Sequence, residues 1–347
     1  MPAARKSALV VCPGRGAYTR SELGYLLRNH AGERDLIQRV DAWRAQAGQR
    51  TVSELDGAKR YSLATYSRGD NASLLTFACS LADFRSLDRD AIKVVAVTGN
   101  SLGWYTSLAC GGVLGIDDAT NLVNTMGNLT HRHRVGGQLV FPLTDEEWRP
   151  DAVRRGALDA AVGAIRQRPG CELYPSVMLG GISVMAGTSA ALDFLQREGP
   201  QGPGRFPMRL ENHGAYHSPL MQRVRDAASD LLSPNRFRSP SVPLIDGRGC
   251  IWRPGAAPRK ALWAYTLGAQ IVEPYDFSAA IRVGLREFAP ECVIVLGPGD
   301  SLGGAIGQIL CETGWLGIDS KTAFTKLQES RPFVLSMGRA EQRALAA

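Results

Sequence analysis

The sequence predicts an α/β fold: a large domain on a mostly parallel sheet, with a small ferredoxin-like α+β subdomain inserted into it. Three observations predict it. An apolar strand, Ala8 to Cys12, runs directly into Pro13-Gly14-Arg15-Gly16, and strands of parallel sheets place sites at such Gly-rich ends. A second short strand, Lys93 to Val97, runs into Thr98-Gly99-Asn100-Ser101-Leu102-Gly103 and then a helical run, Trp104 to Gly111. Between about 135 and 210 the order becomes strand, helix, strand, strand, helix, strand, the order of a split βαβ unit.

Each element has its own local basis. Residues 19–50 are polar and read as helical with weak periodicity, whereas Ser73 to Phe84 is apolar enough for a buried helix. A helix from Asp117 to His131 follows Gly115. In the inserted part, strands are expected at 138–143, 173–178, 182–186 and 206–210, with helices at 151–167 and 188–197. Gly and Pro at 199–204 punctuate its far edge. The large domain, 1–134 and 211–347, then resumes with buried strands at Val242 to Asp246 and Cys292 to Leu296. A second Gly-rich turn, Gly297-Pro298-Gly299, precedes a helix at 302–311, and the last fifteen or so residues read as a terminal helix or tail. The chain shows no internal repeat.

Composition narrows the function. At 347 residues, 44% hydrophobic and 21% charged, the chain has the ordinary make-up of an enzyme and can bury one large core, or a core plus a smaller inserted domain. No run reaches the roughly eighteen apolar residues of a membrane span, and the apolar run at Ala8 to Cys12 is too short for a signal-peptide core. A cytoplasmic protein with no membrane partner is expected. Seven scattered cysteines without CxxC spacing fit neither a disulfide framework nor a zinc site, so no metal is expected and most thiols read as small core residues. The net charge of +7, with Arg20, Arg28, Arg34, Arg39, Arg44 and Arg50 in one stretch, admits a surface for acidic partners or a solvated arginine-rich face. A nucleic-acid partner is not expected, because no recognition motif accompanies the charge.

Gly99-Asn100-Ser101-Leu102-Gly103 fits G-x-S-x-G with a strand before it and a helix after it. That context lifts a serine hydroxyl out of the sheet and leaves the N–H of Leu102 free for an oxyanion. A serine nucleophile needs a base. Of the five histidines, His30 lies in a polar region and reads as solvated, and His131 and His133 end a basic helix. That leaves His213 and His217 in the turn-rich segment Glu211 to Met221. The sheet suggests a core like that of α/β-hydrolases, but those enzymes place the histidine late in the chain, and here 130 residues follow His217.

Taken together, these motifs resemble the malonyl-CoA:acyl-carrier-protein transacylase family, which includes the acyltransferase domains of polyketide synthases. Cys12-Pro13-Gly14-Arg15-Gly16 stands for the family's opening PGQG, followed in order by GNSLG, GAYHSPLM at 214–221 and LGPGDSL at 296–302. Gln270-Ile271-Val272-Glu273-Pro274 matches its Q-x-x-x-P segment, and the resemblance covers roughly residues 8 to 312. It implies that Ser101 is acylated and that His217 is the base. It further implies an oxyanion hole from the backbone N–H groups of Leu102 and Arg15, and a Gln270 carbonyl that orients His217. Acyl-CoA would donate, an acyl carrier protein would accept, and no bound cofactor would be needed beyond the coenzyme A thioester substrate. Asn71 falls where the family has a pocket glutamine, and Asn100, Trp104, Met126 and Tyr216 complete the expected pocket.

The departures carry information. Asn100 and Trp104 replace the His and Glu of GHSLGE, and Arg15 replaces glutamine. Twenty-five residues after the serine, where malonyl-type members carry a carboxylate-binding arginine, an ungapped count reaches Met126. Met126 offers an apolar wall and no counter-charge, so a neutral acyl group is expected. The alternatives are a malonyl group paired with Arg15, Arg132 or Arg134 instead, or a hydrolase that releases stalled acyl chains from carrier proteins.

Overall fold

The computed structural model describes residues 5–202, 204 and 206–347. Residues 1–4 of the N-terminal segment, and Pro203 in the Gly-Pro stretch, lie outside the described residues. Among the described residues eleven strands follow one another: β1 Lys6–Cys12, β2 Ile92–Gly99, β3 Gly137–Pro142, β4 Leu173–Leu179, β5 Ile182–Gly187, β6 Met208–Arg209, β7 Leu244–Ile245, β8 Ile251–Trp252, β9 Tyr275–Asp276, β10 Cys292–Val295 and β11 Val334–Ser336.

The first sheet has the order β11-β10-β1-β2-β7-β8. Its first five strands are parallel, and β8 closes the edge antiparallel to β7. Helices cover both faces, so β1 is apolar without alternation, and Ala8 through Cys12 are fully buried. The register pairs Cys12 with Gly99. The two Gly-rich turns therefore leave the sheet side by side at its carboxyl edge, and the N–H of Asn100 donates to the Cys12 carbonyl at 2.9 Å.

The second sheet has the order β6-β3-β5-β4-β9. With the helices Ala152–Arg166 and Ser189–Glu198 between its strands, the first four strands have ferredoxin-like order. Alternation along β3 explains its position. Leu139 and Phe141 pack on those two helices, while Val140 joins Val177 and Val184 in the core of the large domain. The fifth strand, β9, comes from the large domain and pairs in parallel with β4.

The helix Gly69–Ser86 is buried along most of its length, and it crosses the helix Ile116–Arg132 at a pair of glycines. A Cβ on Gly69 would stand 2.9 Å from the Gly127 carbonyl, and one on Gly127 would stand 2.6 Å from the Gly69 carbonyl.

Three expectations change. The C-terminal residues form β11 and a short helix, Ala340–Arg343; a three-residue strand is too short to show periodicity. Residues 19–50 break into a 3₁₀ turn and two helices, Tyr25–Asn29 and Arg34–Gln46. His30 is buried, with Nε2 2.7 Å from Asp83 Oδ1; the apolar helix below supplies its partner. Among the described residues, no helix is long and apolar enough to cross a membrane.

Candidate active site

Ser101 sits between β2 and the helix Gly103–Cys110 with φ of +54°. This left-handed conformation costs a non-glycine residue about 1–3 kcal/mol, so the surroundings must hold it. They do so by close approach. A Cβ on Gly103 would lie 2.1 Å from the Cys12 carbonyl oxygen, and one on Gly99 would lie 2.3 Å from the Gly103 backbone. Both elbow glycines are therefore steric requirements of the turn.

His217 reaches Ser101 from the other half of the chain, with Nε2 2.7 Å from Ser101 Oγ. Its Nδ1 lies 2.8 Å from the Gln270 carbonyl oxygen. A carbonyl only accepts, so Nδ1 carries the proton and Nε2 faces the serine as an acceptor. The carbonyl is free for a reason written in the sequence. The N–H of Glu273 bonds the Ala269 carbonyl, and the next residue, Pro274, has no N–H to give Gln270. A π turn, Tyr265–Ala269, leads into this segment. The Gln270 side chain is also held, accepting from Tyr105 Oη at 2.7 Å and donating to the Ser101 carbonyl at 3.2 Å.

Burial pushes the His217 pKa down to about 4; the Gln270 bond opposes the shift and the Arg15 charge adds to it. The imidazole is thus neutral near pH 7, the form that accepts a proton. His213 is not at the serine. Its Nδ1 lies 2.7 Å from Gln138 Oε1, and burial, helped by Arg15, takes its pKa to about 3.

The backbone N–H groups of Leu102 and Arg15 donate to no acceptor among the described residues. Gly14 brings their loops together, since a Cβ there would meet the Asn100 carbonyl at 2.9 Å. A cavity of about 50 Å³ adjoins Ser101, His217 and Leu102. Met126, Tyr216 and the side chain of Arg15 also line it.

The remaining expected pocket residues lie elsewhere. Asn71 accepts from Arg44 Nη2 at 2.8 Å and donates to the Thr65 carbonyl at 3.1 Å, so it is committed to the buried Arg44. Trp104 is fully buried, donating to Thr266 Oγ1 at 3.0 Å and packing edge-on against Tyr265. The Asn100 side chain lies over Gly14, outside the cavity lining. A pattern match places the residue number, whereas the helix face decides where the side chain goes. Arg132 and Arg134 are exposed, and Arg134 donates to Asn212 Oδ1 at 2.8 Å.

Sequence reasoning missed Gln138 and Ser176. Gln138 Nε2 donates to Ser176 Oγ at 2.6 Å, which donates to the Tyr216 carbonyl at 2.7 Å. This buried chain anchors the histidine loop to the second sheet, and no local motif marks it. Among the described residues, no group of three or more His, Cys, Asp or Glu could hold a metal ion.

No family model matches the chain. In sequence it is similar to polyketide synthase GfsB of Streptomyces halstedii, 24% identical over 242 residues that make up 68% of this chain and 4% of that protein. The chain spans 9% and 11% of two further polyketide synthases that it matches. In fold it is similar to the acyl-carrier-protein S-malonyltransferase of Burkholderia pseudomallei 1710b, with a TM-score of 0.75, 18% identity and coverage of 98% of this chain and 99% of that one. It is also similar to the structure of a type II polyketide synthase acyl-carrier protein in complex with its malonyl-transacylase, with a TM-score of 0.72, 17% identity and 98% of each chain covered. The chain has the fold of the malonyl-CoA:acyl-carrier-protein transacylases, and its sequence is similar to polyketide synthases and to a probable malonyl-CoA-acyl carrier protein transacylase of Drosophila melanogaster.

Proposed function

We propose that the chain is a serine-dependent acyltransferase that moves an acyl group from coenzyme A to the phosphopantetheine thiol of an acyl carrier protein. The observation that carries this is the relay of Ser101, His217 and the Gln270 carbonyl, at 2.7 and 2.8 Å. Ser101 Oγ attacks the thioester carbonyl while its proton passes to His217 Nε2. The N–H groups of Leu102 and Arg15 hold the resulting oxyanion. As the C–S bond breaks, the proton goes from His217 to the departing thiol, leaving an ester on Ser101. The carrier thiol then attacks that ester with His217 again as base, and Ser101 regains its proton.

The acyl carrier protein as acceptor is supported by the fold shared with a transacylase captured with its carrier. Five of the six N-terminal arginines are exposed, all but Arg44, and suit an acidic partner. Seven unpaired cysteines suit a reducing compartment, the cytoplasm. Met126, which is buried in the cavity wall, favours a neutral acyl group. A second reading, a carboxylate-bearing group, is favoured by the Arg15 side chain in the same wall.

The test is a two-step mass measurement: acyl-CoA alone, then addition of holo-carrier. A transferase gives an acyl-protein adduct that passes its mass to the carrier. An adduct lost to water at the same rate with and without carrier would favour the hydrolase instead.

A further inference from the structure

We propose that Arg15 reads the acyl group, and that the group carried by Ser101 ends in a carboxylate. This rests on the acyltransferase reading and deepens it. Two buried polar atoms in the cavity wall have no hydrogen-bond partner among the described residues: Arg15 Nη1 and the Tyr216 hydroxyl. A buried donor left unpaired is costly, and a cationic one more so. Both donors belong to one cluster, since the Arg15 guanidinium carbon lies 4.3 Å from the centre of the Tyr216 ring. No carboxylate among the described residues forms an ion pair with Arg15, and neither Asp nor Glu lines the cavity.

The position of the guanidinium is built into the packing. A Cβ on Gly69 would stand 2.5 Å from Arg15 Nη1, so any larger residue there would displace it. The same glycine makes the close crossing with Gly127, whose neighbour Met126 faces the cavity. Where malonyl-type relatives bring a cation from that helix, this chain leaves methionine and brings one from the loop after β1. Met126 and Met221 then supply apolar contact for a methylene, while Arg15 and Tyr216 donate to the terminal carboxylate. These side chains line the same cavity as Ser101 and His217, so the acyl group on the serine meets them.

The test compares malonyl-CoA with propionyl-CoA, a neutral group of similar size, by the rate at which each adds its mass to Ser101. The wild-type protein should load malonyl faster by about tenfold or more, the scale of one charge-assisted hydrogen bond. Arg15→Met should lower the malonyl-to-propionyl ratio on the order of 10- to 100-fold, Tyr216→Phe by a smaller factor, and Arg15→Lys should keep part of the preference. Using the ratio cancels any general damage to the fold or to the Arg15 backbone donor. Propionyl loading as fast as malonyl in the wild type, or Arg15→Met slowing both equally, would overturn the proposal while leaving the acyltransferase intact. If neither group loads, the acyltransferase reading falls with it.

Discussion

Pro274 leaves the carbonyl of Gln270 without a helical donor, and His217 Nδ1 fills the vacancy at 2.8 Å. Glu273 is already extended and Pro274 has no N–H with which to continue the helix, so no backbone donor competes with the imidazole for this carbonyl. Pro274→Ala supplies a competing N–H. It should slow acylation about three- to tenfold, as roughly 1 kcal/mol of orientation is lost. Stopped-flow measurement of thiol release from acyl-CoA checks this; an unchanged rate would mean that the ring is held by packing alone.

His217→Ala should slow acylation by about 10²- to 10⁴-fold, the range for a lost general base. His213→Ala should do far less, because its ring is bonded to Gln138 and not to the serine. Single-turnover rates for the two variants separate them. Equal losses would show that the chain His213–Gln138–Ser176 governs the site as strongly as the base does.

The same imidazole sets the pH response. With the His217 pKa at about 4, kcat/KM, which reports the free enzyme, should stay level from pH 7 downward and fall only near pH 4. Arg15 pushes that pKa down, so Arg15→Met should move the acidic limb to higher pH. Stability follows by linkage. Unfolded histidine takes up its proton near pH 6.5, whereas His217 and His213 in the folded chain do so at about 4 and 3. The unfolded state therefore binds more protons below about pH 6.5, and stability should decline from there towards pH 3. Above that window both histidines are neutral in both states and contribute nothing. Denaturant melts across pH 3–8 show whether the slope has this sign.

Moving the cation should move the preference with it. Met126→Arg alone puts a second guanidinium beside Arg15 in a small cavity and should weaken folding by about 1–3 kcal/mol through overpacking. Arg15→Gln with Met126→Arg leaves a single cation, now on the helix, and should restore malonyl loading above that of Arg15→Gln alone. A thermal melt and the malonyl-to-propionyl ratio read the two effects separately.

Much of this was legible in the chain because it is local. The strand Ala8 to Cys12 with its Gly-rich turn, the elbow around Ser101, and the strand and helix order of residues 137–209 all declare themselves within a few residues. What stayed hidden depends on where distant helices cross. Asn71 matched a pocket position of the family, yet it bonds Arg44 of the helix Arg34–Gln46. For the side chain of Arg15 the sequence offered only one of three candidate cations, with Arg132 and Arg134; it reaches the cavity wall through space that Gly69, 54 positions later, leaves open. The three-residue β11 is set by its pairing with β10, not by a pattern of its own.

The most direct measurement is peptide mapping of the protein after brief exposure to malonyl-CoA and to a panel of neutral acyl-CoA compounds. A single acyl ester on the peptide containing Ser101, absent in Ser101→Ala and discharged by holo-carrier, is the predicted result. An acyl group on Ser218, on a cysteine, or on no residue at all would contradict the assignment of Ser101 as the nucleophile.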